Sequence, residues 1–492
     1  MSFLRSIMFV GTCSDAGKSI VNTAFCRIFK QDGYHPAPFK AQNMSLNSYS
    51  TPDGLEIGRA QAVQAEACGI APESDMNPVL LKPTNEQCSQ VVLNGKPVGN
   101  MSAKEYFMSN NKAELFNQAY AAYERLQARY SPIVLEGAGS ISEINLRERD
   151  ITNMRMALRT NAATYLVADI DRGGVFASVY GSIALLSGEE RKLIKGIIIN
   201  KFRGDISLFD EGRKIIHDLT GIPVVGVIPY FKDIYIEEED SVSLETKNTK
   251  AGSGKINVAI VLLKRLSNFT DFSTLERDER FHAYYTNNVE EIGKADIIIL
   301  PGTKNTISDL RNIRENGIAE AVIRAHKEGK KVIGICGGYQ MMGARIEDPD
   351  QIEGDMTAIP GLGILPLVTI MEPEKVTCQD QFTFRDHPET CKGYEIHMGR
   401  TTLLDGASES PLNRLHDGRT DGYLLNDKCW GTYLHGILDN DIVLNELAEG
   451  LTQTTPTSFN YIDFKNQQYD KLADHVRAHV DLPYIYSTLK TK

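Results

Sequence analysis

The sequence of 492 residues predicts an α/β protein with two parallel-sheet domains in tandem. Three observations carry that prediction. Short apolar runs alternate with stretches of helical periodicity from Ile7 to Ile228, and the alternation restarts at Ile256. The first apolar run empties into a glycine loop that closes with Gly17-Lys18-Ser19. A much later run, Val332-Ile333-Gly334-Ile335, empties into Cys336-Gly337-Gly338.

Composition narrows the function classes. Hydrophobic residues make up 42% and charged residues 24%, the balance of an ordinary globular chain with a sizeable core. No apolar run is long enough to span a bilayer, so no membrane association is expected. A net charge of −11 argues against a nucleic-acid partner. The eight cysteines form no CxxC pair, which disfavours both a structural zinc and a disulfide framework. With no apolar leader after Met1, a cytoplasmic protein with reduced thiols is the expectation.

Ile7-Met8-Phe9-Val10 reads as a buried strand, and an amphipathic stretch runs on to Lys30. Between them, Gly11-Thr12-Cys13-Ser14-Asp15-Ala16-Gly17-Lys18-Ser19 has the character of a phosphate-binding loop. Backbone N–H groups cradle phosphates there, Lys18 neutralises them, and the Ser19 hydroxyl can ligate Mg²⁺. The spacing between Gly11 and Gly17 is one residue longer than the common pattern.

A polar insertion follows. Phe39-Lys40-Ala41-Gln42-Asn43-Met44-Ser45-Leu46-Asn47-Ser48 is dense in amides and hydroxyls, suited to a substrate rich in carboxylates and amides, although an ordinary polar loop has the same composition. Helices are expected over Glu56–Ala67 and within Met101–Tyr130. Further strands are expected at Pro132–Glu136, Thr164–Ile170, Gly196–Asn200 and Val224–Ile228. Acidic residues stand at two of these strand ends: Glu136 before Gly137-Ala138-Gly139, and Asp169 and Asp171 before Arg172-Gly173-Gly174. Beside a phosphate loop such carboxylates suit Mg²⁺, whereas helix caps or surface ion pairs would leave the same residues. Asn200-Lys201 ends another strand, where it would read a nucleotide base or simply make a turn.

Polar and charged composition from about Ile236 to Lys255 marks a surface linker. The expected organisation is a phosphate-loop domain over residues 1–235, a linker over 236–254, a second α/β domain over 255–442 and a helical tail over 443–492. In the second domain, strands are expected at Ile256–Leu263, Asp296–Leu300 and Lys331–Ile335, with a helix at Ile318–Glu328. Cys336 sits on a strand-to-helix elbow between small residues, which presents a thiol at a helix N-terminus. A buried core cysteine would have the same neighbours. Leu300-Pro301-Gly302-Thr303 closes a neighbouring strand with a turn able to supply an oxyanion donor. His435, in Gly431-Thr432-Tyr433-Leu434-His435-Gly436, is a distant candidate base.

Taken together, the phosphate-loop domain, the Cys336 elbow and the late histidine resemble ATP-dependent glutamine amidotransferases. Five further stretches sharpen the likeness: Phe39 to Ser45, Asp169 to Phe176, Asn200 to Asp205, Pro301 to Thr306 and Gly393 to Gly399. With them the chain resembles the cobyrinate-type amidotransferases, and among these the cobyric acid synthase family of cobalamin biosynthesis, from about Ile7 to His435.

The resemblance implies a dethiobiotin-synthetase-like P-loop NTPase domain followed by a flavodoxin-like class I glutamine amidotransferase domain. It implies Cys336 and His435 as catalytic pair, with Gly302, Gly337 and Gln340 at the oxyanion and glutamine. Gly11, Thr12, Asp15, Gly17, Lys18, Ser19, Asn200 and Lys201 would bind ATP. Ser19, Glu136 and Asp171 would hold Mg²⁺, and Gln42, Asn43 and Ser45 would meet an adenosylated corrinoid. The implied reaction amidates four peripheral carboxylates (b, d, e and g) of adenosylcobyrinic acid a,c-diamide, using L-glutamine and ATP. Two departures stand out. Many relatives of this class carry His-x-Glu, but His435-Gly436-Ile437 has no acid to orient the imidazole, and Leu46 replaces an expected polar residue. The rival readings are cobyrinic acid a,c-diamide synthase and a partitioning-type ATPase switch. The switch would usually have lysine where Thr12 stands.

Overall fold

The computed structural model describes residues 3–84, 88–102, 112–237, 244, 247–451 and 459–490. The first domain is built on a six-stranded, wholly parallel sheet. Its order is Val224–Pro229, Ile194–Phe202, Ala163–Asp169, Ile7–Gly11, Ile133–Glu136, Ala37–Phe39. Every residue of Ile7–Gly11 is buried, as expected for a central strand covered on both faces. Register pairs Phe9 with Glu136 and Gly11 with Val167, so the glycine loop and the Glu136 carboxylate emerge at one carboxyl edge.

The polar insertion is more ordered than a loop. Gln42–Met44 joins Val79–Pro83, Cys88–Leu93 and Lys96–Ser102 in a small sheet, and Ser48–Ser50 pairs with Glu56–Gly58. This second pairing corrects the helix expected from Glu56. Glu56–Gly58 is held extended by its partner strand, and the helix spans Arg59–Cys68. Likewise Met101 and Ser102 finish a strand, the helix there is Lys112–Gln127, and residues 103–111 lie outside the described residues.

The second domain has a six-stranded sheet ordered Phe281–Thr286, Ile256–Val261, Ile297–Leu300, Lys331–Ile335, Cys429–Thr432, Tyr423–Asn426, antiparallel only at the last pair. Against it stands a second sheet that the sequence reading did not anticipate. Its core is the long hairpin of Leu367–Phe384 and Thr390–Leu403, and Leu434–His435 pairs with the hairpin at Tyr394 and Glu395. One continuous apolar cluster joins both sheets.

The chain's end returns to its beginning. Helices Tyr461–Arg477 and Leu482–Leu489 bury Tyr469, Leu472, Val476, Ile485 and Leu489 among Phe25, Ile28 and Phe29 of the first domain. Each such side chain removed from water contributes about 1.5–3 kcal/mol, so this packing dominates over the Arg27–Asp470 ion pair (2.7 Å) at its edge. The linker expectation also needs correction at its start. Ile236 and Glu237 are buried, because the Glu237 carboxylate accepts from Arg59 Nε and Tyr461 Oη, each at 2.7 Å. Residues 238–243 and 245–246 of that stretch, and residues 452–458 and 491–492 of the tail, lie outside the described residues. Among the described residues no helix is long and apolar enough to cross a membrane.

Candidate functional site

A cavity of about 1380 Å³ opens over the glycine loop. That is above the usual range for a small-molecule site, and leaves room for a nucleotide and a second large ligand. The loop is held from below. Thr12 N donates to Val167 O (3.1 Å), and Asn200 Nδ2 donates to Ala16 O (2.9 Å). Gly17 lies at φ 90°, and a Cβ there would fall 2.1 Å from Asn200 Nδ2, so only glycine fits. Lys18 curls under the loop and donates to the carbonyls of Cys13, Ser14 and Gly139 at 2.8–2.9 Å. Burial pulls its ammonium down to about 8, with Glu136 working in the opposite sense.

At the strand end, Glu136 is buried and accepts from Ser19 Oγ (2.8 Å), Lys40 Nζ (2.8 Å) and Gln64 Nε2 (2.7 Å). Burial opposes its ionisation, but Lys40 and these hydrogen bonds outweigh it and hold the carboxyl below its ordinary value. A serine hydroxyl and a carboxylate side by side are a hard-oxygen pair that fits Mg²⁺. Asp171 is not brought to them. It is exposed, away from the cavity lining, and both its oxygens accept from Arg203 at 2.6 and 3.0 Å. Asn200 likewise supports the loop instead of facing the cavity. Lys201 does line it, with its Nζ on Asp15 O (2.6 Å) and Asp169 Oδ2 (2.9 Å). Asp15 pairs with Arg172 at the rim (2.7 Å).

Gln42, Asn43 and Ser45 all line the same cavity. Asn43 donates to Gln61 Oε1 (3.0 Å) and Ser45 to Asn47 O (3.1 Å), so these two side chains also shape the wall. The facing wall comes from Glu143 to Arg155, which the sequence reading passed over. It brings arginines 147, 149 and 155 and the acids Glu143, Glu148 and Asp150 to the lining. The missed signal was a cluster of charged residues beyond a strand end, where α/β ligands sit.

In the second domain Cys336 occupies the strand-to-helix elbow at φ 51°, ψ −110°, strained for a residue with a side chain. Its N–H donates to Thr432 O at 2.8 Å. The glycines after it are required by contact. A Cβ on Gly338 would sit 1.9 Å from Leu300 O, and one on Gly337 would sit 2.8 Å from Thr303 Cγ2. Gly302 adjoins His435, whose Cε1 would be 3.1 Å from a Cβ there. Gln340 lines the small cavity of about 40 Å³ beside Cys336, but its amide is spent on the protein: Nε2 on Met398 O (2.9 Å), Oε1 on Thr306 Oγ1 (2.9 Å). That cavity has the volume of one or two waters, so its walls have to part for glutamine.

His435 is buried, lines the small cavity together with Cys336, and stacks on Tyr394 with ring centroids 5.4 Å apart, while Cys336 Sγ donates to Ile396 O at 3.6 Å. The acid missing from His-x-Glu comes from elsewhere. His435 Nδ1 donates to Asp271 Oδ2 at 2.7 Å, and Gly436 N donates to Asp271 Oδ1 at 3.1 Å. Burial disfavours the imidazolium, yet Asp271 and Cys336 overcome it and lift His435 to about 10. Asp271 follows the first strand of this domain, 164 residues before its partner. Its position past a strand end was the available signal.

Comparison with known proteins agrees with this geometry. Residues 7–244 match the CobQ/CobB/MinD/ParA nucleotide binding domain, and residues 257–443 match the CobB/CobQ-like glutamine amidotransferase domain. The chain is 71% identical over 491 residues to a cobyric acid synthase of Parabacteroides distasonis, covering 99% of each chain. It is 62% identical to one from Bacteroides fragilis (99% and 98% covered) and 46% identical to one from Salmonella agona (99% and 98%). The chain belongs to the cobyric acid synthase family, the glutamine-hydrolysing carbon–nitrogen ligases of cobalamin biosynthesis.

Proposed function

We propose that this chain amidates the b, d, e and g carboxylates of adenosylcobyrinic acid a,c-diamide in successive cycles, using ATP and glutamine. The observation that carries the reading is the union, in one chain, of the phosphate-loop cavity with the Cys336–His435–Asp271 constellation.

In the second domain, proton transfer from Cys336 to His435 leaves a thiolate beside an imidazolium that Asp271 holds in orientation. Sγ attacks the glutamine carboxamide carbon, His435 returns its proton to the leaving nitrogen, and the C–N bond breaks to give ammonia and a glutamyl thioester. Water then attacks the thioester, with His435 taking its proton, and glutamate leaves. In the first domain a carboxylate is a poor electrophile until phosphorylated. Its oxygen would attack the γ-phosphorus of ATP, ADP would leave, and ammonia would displace phosphate from the acyl phosphate. Lys18 and the loop N–H groups offset the charge on the transferring group. Ser19 and Glu136 are the residues that would hold Mg²⁺, whose chemistry is neutralisation of phosphate charge.

The test is to incubate the protein with each corrinoid, glutamine and ATP–Mg²⁺ and follow product mass. Four amidations of the a,c-diamide support the reading. Amidation of cobyrinic acid alone would assign the chain to the a,c-diamide-forming chemistry instead.

A further inference from the structure

The Cys336 cavity and the phosphate-loop cavity share a wall that is one residue thick in two places. Lys82 lines the small cavity, and the next residue of its strand, Pro83, lines the large one. Asn268 lines the small cavity, and Phe269 lines the large one. The turn at Asn47–Ser48 locks into this wall from the first domain. Ser48 N donates to Asn268 Oδ1 (3.2 Å) and Phe269 N donates to Asn47 Oδ1 (3.0 Å). Asn47, Ser48, Asn268 and Phe269 are all buried, so nothing at this seam meets bulk water. We propose that ammonia freed at Cys336 crosses into the phosphate-loop cavity at this seam, between Ser48 and Asn268.

The inference rests on the function proposed above and adds the route. Three features support it. The seam is polar on both sides: the Asn268 amide oxygen, which accepts from Ser48 N, and the Ser48 hydroxyl, which accepts from Lys82 Nζ, can exchange these bonds for contacts with a molecule the size of water. The approach is lined by buried lysines and carboxylates, Glu56 bridging Lys82 and Lys375 and Glu353 facing the same cavity. Lys82 Nζ donates to Ser48 Oγ (2.8 Å) and Glu56 Oε1 (2.7 Å), while Lys304 and Lys375 face the same small cavity. Burial draws Lys304 down to about 8 and Lys375 to about 7. A buried approach of this kind disfavours a desolvated ammonium ion and favours passage of the neutral, nucleophilic form. The other large cavity between the domains, about 1090 Å³, is on the wrong side. It reaches Asp271 and Tyr394 behind His435, and no phosphate-loop residue lines it.

The experiment uses the full-length protein with Asn268→Asp and, separately, Ser48→Val. The first keeps size and tolerance of the left-handed backbone (φ 52°) while placing a carboxylate that would retain ammonium. The second removes the neighbouring hydroxyl, which accepts from Lys82 Nζ. Expected are glutamine hydrolysis and ammonia-driven amidation within about twofold of the parent, with glutamine-driven amidation down about tenfold and ammonia appearing in the medium. The two changes alter the two polar side chains of the seam, so either alone decides. Unchanged coupling of hydrolysis to amidation, or equal loss of all three rates, overturns the route. Absence of ammonia-driven amidation in the parent protein would instead remove the proposed function itself.

Discussion

Asp271 grips both the imidazole of His435 and the backbone N–H of Gly436, across 2.7 and 3.1 Å. One carboxylate thus fixes the tautomer of the ring and the turn that carries it. It performs the part that a glutamate two residues after the histidine performs in many relatives of this class.

Asn at position 271 should keep the packing but remove the charge. Asp271→Asn is expected to lower glutamine hydrolysis by about 10²–10⁴-fold, with ammonia-driven amidation retained. It should also bring the His435 titration down from about 10, as NMR of the ring would register. The linkage has a definite sign. Folded His435 binds its proton more tightly than the unfolded chain does. Its contribution to stability is therefore complete below about pH 6.5 and is lost as pH rises toward 10. The variant should lose that part of the pH dependence in denaturant titrations.

Glu136 and Asp171 were candidates of equal standing in sequence, and structure separates them. Glu136→Gln removes the buried charge that pairs with the Lys40 ammonium at 2.8 Å and should destabilise the fold by about 3–5 kcal/mol. It should also raise the Mg²⁺ needed for amidation while leaving glutamine hydrolysis alone. Asp171→Asn breaks only a solvent-exposed pair with Arg203, and amidation should stay within about twofold of the parent at every Mg²⁺ concentration.

The elbow around Cys336 is held by backbone contact, so it should not tolerate one added methyl. In Gly338→Ala the new Cβ meets the Leu300 carbonyl at 1.9 Å, and backbone cannot rotate away as a side chain can. The expected cost exceeds the about 1–3 kcal/mol of ordinary overpacking. A lower melting temperature and loss of glutaminase activity are the readouts.

Local signals made part of this architecture legible in the sequence. The loop from Gly11 to Ser19, the Cys336 elbow and the main parallel strands each depend on neighbours in sequence, through glycine spacing and uninterrupted apolar runs. The parts that were not legible depend on distant pairing. Glu56–Gly58 reads as the start of a helix, and only its pairing with Ser48–Ser50 makes it a strand. The Leu367–Leu403 hairpin carries a solvent-facing polar face that masks its pattern. Asp271 is marked locally only by its position past a strand end, and its meaning comes from a histidine 164 residues away. Gln340 sits where a ligand contact was expected, and its amide braces Met398 and Thr306 instead.

The division of labour between the two domains is tested most directly by Cys336→Ala, assayed by product mass with adenosylcobyrinic acid a,c-diamide and ATP–Mg²⁺. The account predicts no amidation with glutamine and four amidations when ammonium salt supplies the nitrogen. Loss of amidation from both nitrogen sources in the folded variant would contradict it.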